Sequence, residues 1–265
     1  MNTEAHRKNG FPFRLGCTSY VYPDDLLANA RKMAPIVDDI EIVFFETESL
    51  SNLPSTTVIS ELMQIQEEYG NTYTIHFPID KRAASLDREE RRYFQKQALK
   101  IMRLTLPLCP FAYILHLEGI EGNANPSEQE AWKSCSMETC EAILNSSGVE
   151  SSTIAVENLG YPTEWNEDIV ENFGFSFCMD VGHLWLYQYD WEAILRQYLK
   201  NTRVIHLHGV CHGKDHLSIE KNDQLSLKKL VTEYLPIFKN VVTLEAFSEE
   251  ATFGSIRRLK ALWEG

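Results

Sequence analysis

Short runs of apolar, β-branched and aromatic residues recur along the chain, and stretches with helical periodicity lie between them. Runs of this kind predict strands, and their alternation with helices is typical of repeated βα units. Eight parallel strands joined by helices close most simply into a (β/α)8 TIM barrel, an α/β fold. The predicted strands cover residues 14–20, 39–45, 72–79, 113–119, 153–159, 175–181, 204–210 and 241–247.

Two helical segments stand out, at residues 87–106 and 127–144. Pro126-Ser127 followed by Glu130 predicts a capping box at the start of the second segment. An open doubly wound sheet is the disfavoured alternative, because neither a GxGxxG motif nor a P-loop follows the first predicted strand. The length of 265 residues is close to the roughly 250 of one such barrel, so we expect a single domain over residues 1–265.

Composition and charge narrow the function classes. The formal net charge of −13 disfavours a nucleic-acid partner, because binding to a phosphate backbone needs clustered Lys and Arg. The six cysteines form no CxxC pair and the N-terminal sequence MNTEAHRKNG has no apolar signal core, which indicates a reduced, cytoplasmic protein. No apolar run approaches the roughly 18 residues of a membrane span. We therefore expect a small-molecule substrate and no membrane partner. The sequence pattern gives no prediction of the oligomeric state.

Ionisable side chains come late in most of the predicted strands, and they share one face. Residues two apart in a strand lie on the same face, so parity predicts which side chains point into the barrel. The opposite faces are aliphatic or aromatic, as expected where strands pack on the helices. The inward sets, from the third strand onward, are Thr72, Thr74 and His76; Ile114 and His116; Thr153, Ala155 and Glu157; Ser176, Cys178 and Asp180; Val204, His206 and His208; and Thr243 and Glu245.

Every histidine except His6 lies at a predicted strand end or in the loop after the seventh strand. A single such histidine is more often a hydrogen-bonded core residue. Burying the whole set together with three carboxylates is costly without a cation, and a divalent ion satisfies them at once. The pattern therefore predicts one to three divalent metal ions. Mixed nitrogen and oxygen ligands suit Zn, Mn, Fe or Co, with Zn or Mn as the first expectation.

The strongest local signal is the sequence CMDVGH at residues 178–183, where Gly182 lets the turn between Asp180 and His183 tighten. With the other histidines and carboxylates, this segment resembles the xylose isomerase-like and endonuclease IV superfamily of metal-dependent barrels through strands three to eight. The resemblance implies a deeply bound metal held by Glu157, Asp180, His206 and Glu245. It implies that a two- or three-metal cluster is completed by His76, His116, His183 and His216.

One departure from the superfamily concerns the third metal. The nuclease pattern after strand seven has Asp, one residue, then His, whereas this chain has Lys214-Asp215-His216, in which the Asp and the His are adjacent.

Longer stretches of the chain are similar to the cobamide-remodelling phosphodiesterases of the same superfamily. They are RLGCTSYVYPDD at 14–25, VDDIEIVFFE at 37–46, TYTIHFP at 72–78, VENL at 156–159 and DVGHL at 180–184. This resemblance implies cleavage of a phosphoester linkage in the nucleotide loop of a complete corrinoid, with release of a cobinamide-type product.

Aromatic residues after the sixth strand suit a large, flat, partly apolar ligand such as a corrin, although some of them fit equally well as packing against the next helix. The candidate substrate-binding residues are Tyr20, Trp185, Tyr187 and His208. The basic residues at 81–82, 88 and 91–92 are more typical of a solvated helix face than of a phosphate site.

Our leading hypothesis is a metal-dependent phosphodiesterase that cleaves cobamides, with Glu157, Glu245 and His183 as catalytic candidates and Glu118 or Asp215 orienting the imidazoles. The alternative is a divalent-metal sugar or sugar phosphate isomerase or epimerase, in which Glu157 and Glu245 exchange a proton. An endonuclease IV-like nuclease comes third. A barrel that binds corrinoid or metal without turnover is the hypothesis from another class.

Overall fold

The computed structural model describes residues 7–46 and 51–265. Eight parallel strands close into a barrel in which each strand pairs with its neighbours along the chain and the last strand pairs with the first. This closure confirms the predicted (β/α)8 TIM barrel. The barrel strands are β1 (Arg14–Thr18), β2 (Asp39–Val43), β3 (Thr72–His76), β4 (Ala112–Leu115), β5 (Ile154–Glu157), β6 (Ser176–Asp180), β7 (Thr202–Leu207) and, after a two-stranded hairpin, β10 (Val241–Leu244).

Helices follow every barrel strand and surround the sheet. They are α1 (Leu26–Met33), α2 (Thr56–Tyr69), α3 (Arg88–Thr105), α4 (Pro126–Ser147), α5 (Glu167–Phe173), α6 (Val181–Leu186), α7 (Trp191–Tyr198), α8 (Gln224–Lys229) and α9 (Glu249–Glu264). Two of them, α6 and α7, lie between β6 and β7. Among the described residues, none of these helices combines the length and apolar character needed to cross a membrane.

The two helical segments predicted most clearly correspond to α3 and α4, but the cap of α4 differs from the prediction. Asn125 is the N-cap, and its side chain accepts hydrogen bonds from the backbone amides of Ser127 and Glu128, at 3.0 and 3.1 Å. The Glu128 carboxylate in turn accepts from the Asn125 amide at 2.8 Å. The predicted box of Ser127 and Glu130 is wrong because Pro126 occupies the first helical position, where its missing N–H costs nothing. The helix therefore begins earlier than expected.

Side chains alternate between the two faces of the barrel wall as parity predicts. The outward residues, such as Ile75, Leu115 and Val156, are fully buried in the main core beneath the helices. A second, smaller cluster fills the interior of the barrel. We call it the interior plug, and its members are Ala112, Ile114, Ala155, Cys178, Val204 and Val241. In β4, β5, β6 and β7, the inward position that follows the plug carries an ionisable residue.

The strands end earlier than the apolar runs suggest, and the largest difference follows β7. A continuous strand was predicted over 204–210, but β7 ends at Leu207. The chain then forms an antiparallel hairpin of β8 (Gly209–Cys211) and β9 (Lys214–Leu217). The turn of this hairpin has His212 at φ 51° and Gly213 at φ 74°, both in the left-handed region. Because of the hairpin, the polypeptide returns over the mouth of the barrel before α8.

Candidate metal centre

Carboxylates and imidazoles from seven of the eight barrel strands or their loops converge at the C-terminal end of the barrel. Five overlapping groups of side chains bring possible ligand atoms within 4.8 Å of one another, and three of them together include every member except Glu41 and Cys178. We name them the inner group (Glu157, Asp180, His206 and Glu245), the outer group (His76, His116 and Glu157) and the hairpin group (His183, His208 and His216). The inner and outer groups share Glu157, so one carboxylate lies at the centre of the constellation.

The inner group is fully or almost fully buried, with each member at 6% exposure or less. The His206 Nδ1 atom lies 3.4 Å from Glu157 Oε2 and 3.4 Å from Glu245 Oε2. Neither His206 Nδ1 nor Glu245 Oε2 has a hydrogen-bond partner among the described residues. Buried polar atoms are normally satisfied, because an unpaired one retains its desolvation cost. The two atoms therefore meet the conditions for ligands of a common cation.

The outer group is built around Glu157, whose Oε2 lies 2.9 Å from His116 Nε2 and 3.5 Å from His76 Nε2. The other nitrogen of each imidazole has its own partner. His76 Nδ1 lies 2.8 Å from the Phe77 carbonyl oxygen, and His116 Nδ1 lies 3.2 Å from Glu118 Oε1. A carbonyl or carboxylate at one ring nitrogen fixes the tautomer and frees the other nitrogen for a ligand bond. The orienting role expected of Glu118 fits this contact.

Asp180 joins the inner group to the hairpin group. It is the N-cap of α6, and Oδ1 accepts a hydrogen bond from the His183 amide at 2.8 Å. Its backbone is held by Asn158, whose side chain donates to the Asp180 carbonyl at 2.9 Å and accepts from the Asp180 amide at 2.7 Å. The carboxylate also lies 3.2 Å from both His183 Nδ1 and His208 Nε2. The helix cap thus fixes the carboxylate between two imidazoles.

Glycine is required at position 182 for a different reason from the one that the sequence indicated. It lies inside α6, and its backbone needs no positive φ. A Cβ atom at this position would lie 2.2 Å from the ring of His208, a distance that no side chain tolerates. The expectation that Gly182 tightens a turn is therefore wrong. Glycine is required because the imidazole of His208 packs directly on the helix backbone.

The hairpin group depends on the β8–β9 hairpin. The His216 amide nitrogen lies 3.1 Å from His208 Nδ1, and the centroids of the two rings lie 4.4 Å apart. His216 is a non-glycine residue with φ 51°, a sparsely populated conformation that occurs disproportionately at functional sites. Asp215 lies outside the three groups, with its carboxylate 3.9 Å from His216 Nε2. His208 therefore occupies the third corner of the group, next to His183 and His216.

The electrostatics of the centre favour positive charge. Burial opposes protonation of His116, but the carboxylates of Glu157 and Glu118 outweigh it and raise its pKa to about 10. Burial likewise opposes a charged His208, yet Asp180 raises the pKa of that imidazole to about 9. Burial would raise the pKa of Asp180, but His183 and His208 lower it to about 2. The carboxylates thus favour a positive charge on these imidazoles, and a bound cation would compete with protons for the same donors.

A cleft of about 1470 Å³ opens above the centre. Six of the converging side chains line it, whereas Asp180, His206 and His208 are fully buried beneath. Four of the eight large hydrophobic side chains that the described surface exposes also line this cleft; they are Ile79, Leu86, Tyr187 and Phe247. The mouth carries the carboxylates of Glu118, Glu121, Glu128 and Glu249, and Arg82 is the basic residue in the lining. The cleft is therefore both apolar and acidic.

The four candidate substrate-binding residues do not all line the cleft. Tyr20 and Tyr187 line the cleft, and the Tyr20 hydroxyl accepts from Asn52 at 2.6 Å. Trp185 lies outside the lining and its ring packs edge-on against Trp191, with centroids 6.2 Å apart. His208 is buried in the hairpin group, away from the cleft surface. The structure thus brings two of these four residues to the cleft.

The basic run after β3 contributes little to the cleft. Arg82 is largely exposed and lies 3.1 Å from Glu90, and Arg91 is buried in an ion pair with Glu138 at 2.5 Å.

The sequence reasoning missed one residue of the centre, Glu41 in β2. Its carboxylate is fully buried and lies 2.8 Å from His206 Nε2. Parity along the second strand, applied as it was to strands three to eight, would have placed Glu41 inside the barrel.

The fold agrees with what similarity to known proteins indicates. The chain belongs to the xylose isomerase-like TIM barrel family, which matches residues 28–262. No curated protein sequence matches the chain. A solved D-tagatose 3-epimerase-like protein is similar in structure, with a TM-score of 0.76 and 20% identity over 95% of this chain and 97% of that one.

Two solved structures from Thermus thermophilus are also similar. Endonuclease IV has a TM-score of 0.72 and 16% identity over 95% of this chain and 99% of that one. A second protein from this organism, soaked with ZnCl2, has a TM-score of 0.66 and 18% identity over 96% of this chain and 99% of that one. At these identities the likeness concerns the fold, which neighbours of different chemistry share.

Proposed function

We propose that this protein is a metal-dependent phosphodiesterase that hydrolyses the phosphoester linkage in the nucleotide loop of a cobamide. The observation that carries the proposal is the set of three adjoining ligand groups, two of which share Glu157. Phosphoester hydrolysis needs charge stabilisation at both the attacking and the leaving oxygen, and more than one cation supplies it. A single-metal reaction has no need of five imidazoles outside the inner group.

The residues present fit divalent ions such as Zn or Mn. The donors are imidazole nitrogens and carboxylate oxygens, which suit both metals. Three buried atoms without a hydrogen-bond partner among the described residues support this fit, since each lies in one of the groups; they are His206 Nδ1, His216 Nδ1 and Glu245 Oε2. The inner group would hold the most buried ion, and the outer and hairpin groups would hold up to two more. When bound, such ions lower the pKa of a coordinated water and neutralise charge on a phosphoryl group.

The chain's own residues then have separate tasks. Glu157 and Glu245 orient the centre, because each carboxylate contacts at least one imidazole of a neighbouring group. His183 has Nδ1 occupied by contacts to Asp180 and Asn158, which leaves Nε2 as the nitrogen available to the cleft side of the ring. We assign this nitrogen as the ligand that His183 would offer to an ion of the hairpin group, and such an ion would supply charge stabilisation at the leaving oxygen. In the net reaction, the water hydroxyl joins phosphorus and its proton goes to the leaving oxygen.

The shape and charge of the cleft support a large, partly apolar substrate with one phosphodiester. The volume of about 1470 Å³ exceeds the roughly 300 to 1,000 Å³ of most small-molecule sites. The exposed rings of Tyr187 and Phe247 and the side chains of Ile79 and Leu86 offer an apolar surface to a corrin ring. The acidic mouth disfavours a polyanion such as DNA, which needs neighbouring Lys and Arg. We also propose that residues 1–265 act as one domain.

A sugar epimerase is the second candidate, favoured by two observations. The carboxylates of Glu157 and Glu245 lie within 4.8 Å of each other's ligand atoms, close enough to act on one carbon from two sides. One structural neighbour is a D-tagatose 3-epimerase-like protein. In this reading the inner group alone would suffice, and the outer and hairpin imidazoles would have no assigned role.

The decisive experiment incubates zinc- or manganese-loaded protein with a complete cobamide and, separately, with ketoses, ketose phosphates and abasic duplex DNA. We expect a cobinamide-type product that lacks the lower base, detected by chromatography and mass spectrometry. His183→Ala should slow its formation by on the order of 100-fold. As a matched control, His212→Ala changes an exposed histidine of the hairpin turn that belongs to none of the groups and should leave the rate unchanged. Intact cobamide together with rapid epimerisation of a ketose would overturn the proposal in favour of the second candidate.

A further inference from the structure

Glu41 has no task in the proposed reaction, yet it is one of the most buried carboxylates of the protein. It lies in β2 with no exposed surface, and its Oε2 atom lies 2.8 Å from His206 Nε2. Its partner imidazole is equally buried. A carboxylate that is moved from water into such surroundings needs a compensating interaction, and the hydrogen bond from His206 supplies one.

The contact crosses the interior of the barrel. β2 and β7 are separated in the sheet by β1 and β10, so the two side chains meet across the lumen rather than along a ladder. The inward residues of the intervening strands at this level are short: Gly16, Thr18 and Thr243. A Cβ on Gly16 would already lie 3.2 Å from Thr243 Oγ1. Short side chains on these two strands leave the space through which Glu41 reaches His206.

The hydrogen bond determines which nitrogen of His206 is free. An uncharged imidazole carries one proton, and a proton on Nε2 that is donated to Glu41 leaves the lone pair on Nδ1. The Nδ1 atom lies 3.4 Å from the carboxylate oxygens of both Glu157 and Glu245 and has no hydrogen-bond partner among the residues described. The lone pair therefore points to the middle of the inner group.

We propose that Glu41 is a positioning residue that holds His206 in the Nε2–H tautomer and presents Nδ1 to the cation of the inner group. The inference rests on the metal-binding part of the proposed function and is independent of the substrate. Carboxylate partners of ligating histidines fix the ring and raise its basicity, and their loss typically weakens metal binding by roughly 10- to 100-fold. Glu41 would in addition place a further negative charge near the ion.

The test compares three variants by the affinity for the first zinc ion, measured by competition with a chromophoric chelator and without substrate. Glu41→Ala removes the acceptor, and we expect the affinity to fall by roughly 10- to 100-fold. Glu41→Gln keeps an oxygen that can accept from Nε2–H, and we expect it to recover to within about fivefold of the wild type. Asp39→Asn is the matched control. It changes a buried carboxylate of the same strand and face that bonds to Thr72 at 2.5 Å, and it should bind zinc as the wild type does.

A second measurement uses the unaltered protein, so the inference stays testable even if Glu41→Ala does not fold. In zinc-loaded protein, the ¹⁵N shifts of His206 should identify Nε2 as protonated and Nδ1 as metal-bound. Zinc on Nε2, an affinity of Glu41→Ala within twofold of the wild type, or an equal loss in Asp39→Asn would each overturn the inference. A zinc-loaded wild type that leaves cobamide intact would overturn the proposed substrate while the affinity comparison still decides on Glu41.

Discussion

The lower and upper halves of the barrel interior differ sharply although the same strands build both. In β4, β5, β6 and β7, a residue of the interior plug is followed two positions later by a member of the centre. The pairs are Ile114 and His116, Ala155 and Glu157, Cys178 and Asp180, and Val204 and His206. The plug is apolar and fully buried, whereas the centre contains buried polar atoms that have no hydrogen-bond partner within the described part of the chain. One step of the strand period thus separates the part that stabilises the barrel from the part to which we assign the chemistry.

This difference predicts which property, stability or metal affinity, a substitution in each half should change. Packing in the plug contributes to folding in proportion to the apolar groups it buries. The centre instead keeps like charges close together, and in our proposal a cation compensates for their repulsion. Changes in the plug should therefore alter stability at constant metal affinity, and changes in the centre should alter metal affinity and turnover.

The largest effect is expected from Glu157→Gln. This substitution preserves the size of the side chain but removes the charge that the inner and outer groups share. We expect turnover of cobamide to fall by on the order of 1,000-fold or more, because charge stabilisation is lost at two positions together. Zinc content per protein, measured by mass spectrometry, should fall in parallel. Glu171→Gln, an exposed carboxylate of α5, is the control, and equal activity of both variants would contradict the assignment.

A smaller effect, on stability alone, is expected from Ile114→Ala. Removing a fully buried side chain from the plug should lower the free energy of unfolding by about 2 to 4 kcal/mol through lost burial and the remaining cavity. Urea unfolding of the metal-free protein measures this change. The affinity of the folded protein for the first zinc ion should stay within about threefold. A large loss of affinity at unchanged stability would show that plug and centre are not separate.

The smallest of these effects concerns pH. The raised pKa values of His116 and His208, about 10 and about 9, mean that metal-free protein binds protons there that the unfolded chain releases near 6.5. This stabilisation is complete below pH 6.5 and is lost as pH rises through 9 and 10. We expect the chelated protein to lose roughly 1 to 3 kcal/mol between about pH 7.5 and 9.5.

Zinc-loaded protein should lose less stability over the same range, because the ion replaces those protons and binds better as they leave. Thermal melting with and without chelator at both pH values makes the comparison. Parallel pH profiles for the two forms would contradict it.

The fold and the positions of most side chains of the centre could be predicted from the sequence, because both depend on strand periodicity. Alternation predicted the inward faces of β3 to β7 correctly, and strand ends located His76, His116, Glu157, Asp180 and His206. The same rule applies to Glu41, but its partner lies 165 positions away across the lumen, and no local pattern joins the two. Contacts of that kind depend on barrel closure and on short residues in other strands.

The features that follow β6 and β7 were less predictable for a different reason. His208 was expected at the substrate, but the hairpin of β8 and β9 turns the chain so that His208 lies against Asp180 and His216. The requirement for Gly182 arises from the same imidazole, which packs on α6. A predicted strand such as 204–210 does not indicate where the chain leaves the sheet, since the backbone hydrogen bonds that end the strand are made by later residues.

The central claim is that the upper interior of the barrel is a metal centre, and anomalous scattering at the zinc absorption edge from crystals of the zinc-loaded protein tests it most directly. We expect the strongest peak between Glu157, Asp180, His206 and Glu245, at roughly 2.0 to 2.2 Å from their ligand atoms. Weaker peaks should lie at the outer and hairpin groups. A centre without anomalous density, or zinc bound only to residues outside the three groups, would contradict the account.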